Sequence, residues 1–214
     1  MSKTYAVFGM GRFGRSVAKT LYNNGAEVLI ADSEQEKVND MADFSTYAAT
    51  VNLTDEDSIK ELDLSSVDVL VVAMARNLQA SIMCTMVAKE AGVPFVLVKV
   101  YDNRMGEILL KCGADQVIQV EEEAGVRAAM RLNSGDLLDY FDLDNDLFVA
   151  NIHPKADWIG SSLRALRLRE KYNINVVAIK ENGRLTSKVD PEAPLTKDQE
   201  LLVVVDEEGM SRIK

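Results

Sequence analysis

The chain is poor in the residues on which several chemistries depend. Of its 214 residues two are cysteines, Cys84 and Cys112, with neither a C-x-x-C pair nor a zinc-ligand spacing. A disulfide framework and a structural zinc site are therefore excluded. With nine methionines alongside, the thiols are expected to be reduced and buried, as in a cytosolic protein. The one histidine, His153, ends an apolar run just before Pro154 and is read as a satisfied or exposed side chain. The longest purely apolar run, residues 69–75 (VLVVAMA), has seven residues, against the roughly 18 of a membrane span. The start, MSKTYAVFG, leads straight into a strand without a signal-peptide core. Positive charge is short as well: 24 Lys and Arg against 34 Asp and Glu give a net charge of −10. Such a chain lacks the electrostatic footprint of a nucleic-acid binder, and anionic lipid repels it. No nucleic-acid polymer and no direct membrane insertion are expected.

What is present is a regular alternation of apolar runs and helical patterns. Strands are expected over residues 5–8, 27–31, 45–49, 69–73, 95–100 and 117–120. Between them lie helices whose apolar positions recur every three or four residues, as Phe13, Val17, Ala18 and Leu21 do. Ser33 is expected to cap the second helix, with Glu36 completing a capping box. Strands alternating with helices mean right-handed βαβ units and a parallel sheet. The expected fold class is α/β: a Rossmann-like, doubly wound parallel sheet followed by a smaller α+β lobe.

The pattern changes after residue 120. Residues 122–132 read as a helix with a small-residue face of Ala124, Ala128 and Ala129. Ser134-Gly135-Asp136 breaks it, and a short helix is expected over residues 137–141. The charges at 142, 144 and 146 resemble a calcium loop, which needs Gly sixth and Glu twelfth. Counted from Asp142, those positions are Leu147 and His153, so a solvated linker is the better reading. Then come a strand over 147–152, a basic helix over 161–171 with Arg164, Arg167 and Arg169, a strand over 175–179, a hairpin through Asn182-Gly183, and a strand over 201–205. The resulting division is 1–120 for the nucleotide-binding lobe, 121–144 for a crossover helix and linker, and 145–214 for the C-terminal lobe.

Gly9-Met10-Gly11-Arg12-Phe13-Gly14 is a G-x-G-x-x-G sequence between an apolar strand and a helix, and Asp32 ends the next strand. That context is a nucleotide-binding signature. Gly9 serves the tight turn, Gly11 the approach of phosphate oxygens, and Gly14 the close packing of helix on sheet. Phosphates then meet unpaired N–H groups at a helix start. Asp32 suits ribose hydroxyls and disfavours a 2′-phosphate. Arg12, inside the motif, suits a terminal phosphate and so a nucleoside di- or triphosphate. No reaction centre accompanies this cradle. None of the six tyrosines has a lysine four residues on, and no Ser-His-Asp or Cys-His set can be assembled. A nucleotide cradle without an acid–base pair points to sensing, not to an enzyme.

These residues resemble the RCK family, the cytosolic nucleotide-binding subunits of Ktr and Trk potassium-uptake systems, and the two-lobed Ktr type most of all. The marks are FGMGRFGRSVAKTLYNNGAEVLIAD, VNLTDEDSIKEL, VVAMARNLQASIM, VKVYD and KCGADQVIQVEEEAGVRAA, with LRLREKYNINVVAIKENG and LTKDQELLVVV in the second lobe. The resemblance implies a dimer that assembles into an octameric ring beneath a membrane potassium-translocating subunit, on the cytoplasmic face. It implies ATP or ADP in the first lobe, ATP favouring the active form; NAD or NADH is the alternative ligand, on the strength of Asp32. Carried over by motif, Gly9, Met10, Gly11, Arg12, Phe13 and Gly14 hold phosphates. Asp32, Ser33 and Glu34 flank the ribose, and Asn52 and Leu53 the base. Ala73, Met74, Ala75 and Asn77 line the cleft. Lys99 stands near the phosphates, and Glu121 at the dimer seam could hold a divalent cation with them. Two departures stand out. Glu34 replaces an Asn common in the family, and Arg167 stands where cyclic di-AMP-binding members carry Asp, which disfavours cyclic di-AMP in the second lobe.

Overall fold

The computed structural model describes residues 3–133, 137–144 and 147–213. They form two compact units, residues 1–120 and 121–214.

The first unit alternates strand and helix without interruption: β1 (Thr4–Phe8), α1 (Arg12–Asn23), β2 (Glu27–Asp32), α2 (Gln35–Asn39), β3 (Tyr47–Thr50), α3 (Glu56–Lys60), β4 (Val69–Val72), α4 (Leu78–Glu90), β5 (Phe95–Lys99), α5 (Asn103–Lys111) and β6 (Gln116–Ile118). The six strands are all parallel and lie in the order β3-β2-β1-β4-β5-β6. This is the doubly wound order, which reverses direction between β1 and β4 and opens a crevice there.

Side-chain alternation explains why both faces are covered. Along β1, Ala6 and Phe8 enter the larger core with Leu70, Val72, Val96 and Val98, beneath Ala80, Cys84 and Val87 of α4. Val7 points the other way, to a second core with Val28, Ile30 and Val71 under Ala18 of α1. Two buried faces need near-continuous apolar strands, and VLVV in β4 is such a run.

The second unit holds α6 (Val120–Asn133), β7 (Leu137–Asp144), β8 (Leu147–Ile152), α7 (Leu163–Leu166), α8 (Leu168–Tyr172), β9 (Ile174–Glu181), β10 (Arg184–Thr186), β11 (Glu200–Asp206) and α9 (Glu207–Ile213). Its five strands pair antiparallel in the order β10-β9-β11-β8-β7. One face is apolar: Leu201, Val203 and Val205 of β11 are buried with Ala150, Ile152 and Trp158. Asn182 and Gly183 both take positive φ, 50° and 77°, as a two-residue hairpin turn requires.

Five sequence expectations need correction. The short helix over 137–141 is instead the strand β7, because its backbone finds a partner in β8. That strand extends to Asp144, into the expected linker; residues 134–136 and 145–146 lie outside the described residues. The basic helix over 161–171 breaks in two at Arg167, which takes φ 51° and ψ 46°. Ser33 does not cap α2: the N-cap is Glu34, with no side-chain cap bond, because the Asp32 carboxylate takes the Glu34 N–H at 2.9 Å. Cys84 is buried as expected, but Cys112 is only half-buried.

Candidate functional site

The site is built where the sheet changes direction. β1 delivers Gly9 between its neighbours: the Gly9 N–H donates to the Ala31 carbonyl near the end of β2, and the Ala73 N–H after β4 donates to the Phe8 carbonyl, both at 2.8 Å. The chain turns at Gly9 with φ 95°, where a Cβ would stand 2.6 Å from Met74 Cγ. At Gly14 a Cβ would stand 2.0 Å from the Gly9 carbonyl oxygen, so helix and turn touch backbone to backbone. At Gly11 a Cβ would meet nothing within 4 Å. One glycine thus permits packing and the other leaves space.

That space faces unsatisfied donors. Gly11 is the N-cap of α1 and supplies no side-chain cap, and no acidic residue occupies the first turn. Among the described residues, the N–H groups of Gly11, Arg12, Phe13 and Gly14 have no acceptor. A 12-residue helix carries partial positive charge at this end, so the end is suited to phosphate. Arg12 is exposed and has no ion-pair partner among the described residues.

Asp32 closes the other side. It is 6% exposed, and its Oδ2 and Oδ1 accept the N–H groups of Met10 at 2.5 Å and Glu34 at 2.9 Å. Each carboxylate oxygen retains a lone pair for a ribose hydroxyl. Asp32 is therefore a brace for the glycine turn, besides its expected place beside a ribose. Ser33 and Glu34 are exposed beside it. Glu34 pairs with Lys37 at 2.5 Å, and that hydrogen bond holds the Lys37 ammonium above its ordinary pKa.

The remaining expected residues divide. Met10 and Leu53 are 0% and 3% exposed, with their side chains in the two cores; only main chain could face a ligand. The Leu53 carbonyl accepts from Cys84 Sγ at 3.6 Å, and burial pushes that thiol up to about 12. Asn52 folds onto Thr54, accepting from its N–H at 3.1 Å and its hydroxyl at 2.8 Å. Ala73, Met74 and Ala75 are half-buried on the loop after β4. Asn77 caps α4, accepting the Ala80 N–H at 3.0 Å. Lys99, at the end of β5, sets its ammonium 5.7 Å from the centroid of Phe13, joining two expected phosphate-side residues. Glu121 lies in the second unit, exposed in the first turn of α6. Among the described residues no cluster of three or more His, Cys, Asp or Glu could hold a metal.

Sequence reasoning missed Arg15. Its Nε donates to the Met10 carbonyl at 2.9 Å and a terminal nitrogen pairs with Asp40 at 3.0 Å. No spacing rule announces such a contact, since it depends on where the turn and α2 meet.

In the second unit, Leu163, Arg164, Arg167, Arg169, Asn175 and Pro191 border a cleft of about 310 Å³. Arg164 is paired with Glu192 and Arg167 with Glu170. Arg169 has no ion-pair partner among the described residues.

A doubly wound lobe with an open glycine cradle, joined to a small antiparallel lobe, is the architecture of a two-lobed RCK module. The chain belongs to the TrkA-N and TrkA-C domain family, the TrkA-N model matching residues 5–120 and the TrkA-C model residues 147–214. It is 36% identical over 205 residues to the Ktr system potassium uptake protein C of Bacillus subtilis (strain 168), covering 96% of this chain and 92% of the relative. It is 33% identical to the Ktr system potassium uptake protein A of the same organism, over 95% of this chain and 91% of the relative. Among solved structures, the GsuK channel bound to NAD superposes with a TM-score of 0.70 at 15% identity, covering 100% of this chain and 39% of that one; the likeness is one of fold. Among the described residues no helix is long and apolar enough to cross a membrane.

Proposed function

We propose that this chain is the nucleotide-sensing regulatory subunit of a potassium uptake system, acting on the cytoplasmic face through a membrane potassium-translocating subunit. The kinship with two Ktr system potassium uptake proteins over more than nine-tenths of the chain supports the system. The observation that carries the sensing role is the start of α1: four unpaired N–H groups, open space at Gly11 and an exposed Arg12. ATP and ADP fit this set. The backbone donors take the phosphates common to both, and Arg12 distinguishes the terminal one. Asp32 and Glu34 take the ribose side, Asn52 and the Leu53 main chain the base side, and Lys99 the phosphate side. Glu121, at the dimer seam, would offer a carboxylate to a divalent cation. In this role the chain carries out no reaction.

The gating element is an oligomer, a dimer assembled into an octameric ring. The exposed small-residue face of α6 (Ala124, Ala128 and Ala129) suits close packing against a second copy. Nucleotide exchange shifts such a ring only through a difference in affinity between its two shapes. NAD or NADH is a second reading, favoured by the ribose-side carboxylate of Asp32 and by the NAD bound in the GsuK channel. Cyclic di-AMP in the second unit remains disfavoured. Two of the three cleft arginines are already paired with carboxylates.

Potassium flux into proteoliposomes holding a Ktr-type membrane subunit tests the proposal. Adding this protein with ATP is expected to raise flux several-fold over the same protein with ADP. Flux indifferent to the protein, or equal with both nucleotides, would overturn it.

A further inference from the structure

We propose that Arg15 is a positioning residue of the nucleotide cradle, fixing the Met10–Gly11 peptide so that the Gly11 N–H is presented to a phosphate. The inference rests on the nucleotide-binding reading above and adds to it a residue outside the G-x-G-x-x-G motif.

Arg15 holds the peptide units on both sides of Gly11. Its own N–H donates to the Gly11 carbonyl at 2.9 Å, the first bond of α1. Its side-chain Nε donates to the Met10 carbonyl at 2.9 Å. A trans peptide places its C=O and N–H on opposite sides, and no peptide here is cis. Fixing the Met10 carbonyl toward Arg15 therefore turns the Gly11 N–H away from the guanidinium, where it has no partner among the described residues. The Met10 N–H is held in turn by Asp32 Oδ2 at 2.5 Å. Met10 is thus gripped at both ends, by the ribose-side carboxylate and by Arg15. Glycine at the next position offers no side chain to resist rotation, so the grip has to come from elsewhere.

Asp40 completes the arrangement. It pairs with the Arg15 terminal nitrogen at 3.0 Å, and the two side chains are 34% and 53% exposed. A pair this exposed adds little stability. Its effect is geometric: the planar guanidinium serves carbonyl and carboxylate together, and one ammonium cannot copy that fork.

The test measures ATP, ADP and NADH binding by calorimetry, and adenosine binding by competition. The variants are Arg15→Ala, Arg15→Lys and Asp40→Asn, with thermal midpoints recorded for each. Loss of one well-aimed phosphate hydrogen bond corresponds to about tenfold in affinity. Arg15→Ala is expected to weaken ATP and ADP alike by about that factor and leave adenosine within about twofold. Arg15→Lys should fall between, and Asp40→Asn should lose about twofold. Unchanged ADP binding in Arg15→Ala overturns the proposal. So does a loss shared equally by adenosine, which would mark Arg15 as a general brace. A wild-type protein that binds NADH but neither ATP nor ADP overturns the ATP/ADP reading alone, and Arg15 is then judged on NADH, whose pyrophosphate meets the same amide. Binding of none of the three overturns both.

Discussion

At Gly14 an added Cβ would stand 2.0 Å from the Gly9 carbonyl oxygen, whereas at Gly11 it would meet nothing within 4 Å. The two glycines of one motif should therefore fail differently. Gly14→Ala is expected to cost about 3 kcal/mol, as overpacking against backbone does. Gly11→Ala should change stability by no more than about 0.5 kcal/mol, since φ is −74° there, yet it should abolish nucleotide binding by covering the donors of α1. Denaturant unfolding and nucleotide titration of both variants check this. The motif glycines were legible because each spacing answers a steric need. The brace that Asp32 gives Met10 was not legible, and Arg15 was not legible at all. Their contacts join residues 22 and 25 positions apart in the chain.

At the scale of elements, the strand–helix alternation of the first unit was readable because its central strands β1, β2 and β4 are buried on both faces. Residues 137–141 were not readable in the same way. A five-residue run rich in Leu and aromatic residues suits a helix or a strand equally, and pairing with β8 decides it. The basic helix broke at Arg167 because its left-handed backbone, uncommon for a residue with a Cβ, has no sequence mark. Asn77, proposed to line the cleft, is the cap of α4, so Asn77→Ala should cost about 1 kcal/mol before any effect on ligand; unfolding in the absence of nucleotide measures it. Three strands of the second unit are joined at Glu200, which accepts from Asn151 at 2.8 Å and Lys180 at 2.9 Å. Those two hydrogen bonds, Asn151 first, hold the Glu200 carboxyl below its ordinary value of 4.5. A depressed folded value stabilises above pH 4.5 and is lost as pH falls through the folded value. Glu200→Gln should therefore lower stability at neutral pH, and its deficit should shrink as pH falls below 4.5. A deficit unchanged down to acid unfolding would contradict the assignment.

At the scale of the molecule, length and charge were informative about class and silent about mechanism. The size follows from a complete doubly wound lobe plus a small antiparallel one, each with its own core. The charge of −10 leaves Arg12 conspicuous at the cradle, where an anion is needed. The most direct measurement is calorimetric titration of the wild-type protein and Arg12→Ala with ATP, ADP and NADH. ATP and ADP should both bind the wild type, and at a hundredfold excess over its dissociation constant each should stabilise the protein by about 2.7 kcal/mol. Arg12→Ala should weaken ATP by about tenfold and ADP by less than threefold. Binding of NADH alone, or an equal loss of ATP and ADP in Arg12→Ala, would contradict ATP/ADP sensing through this cradle.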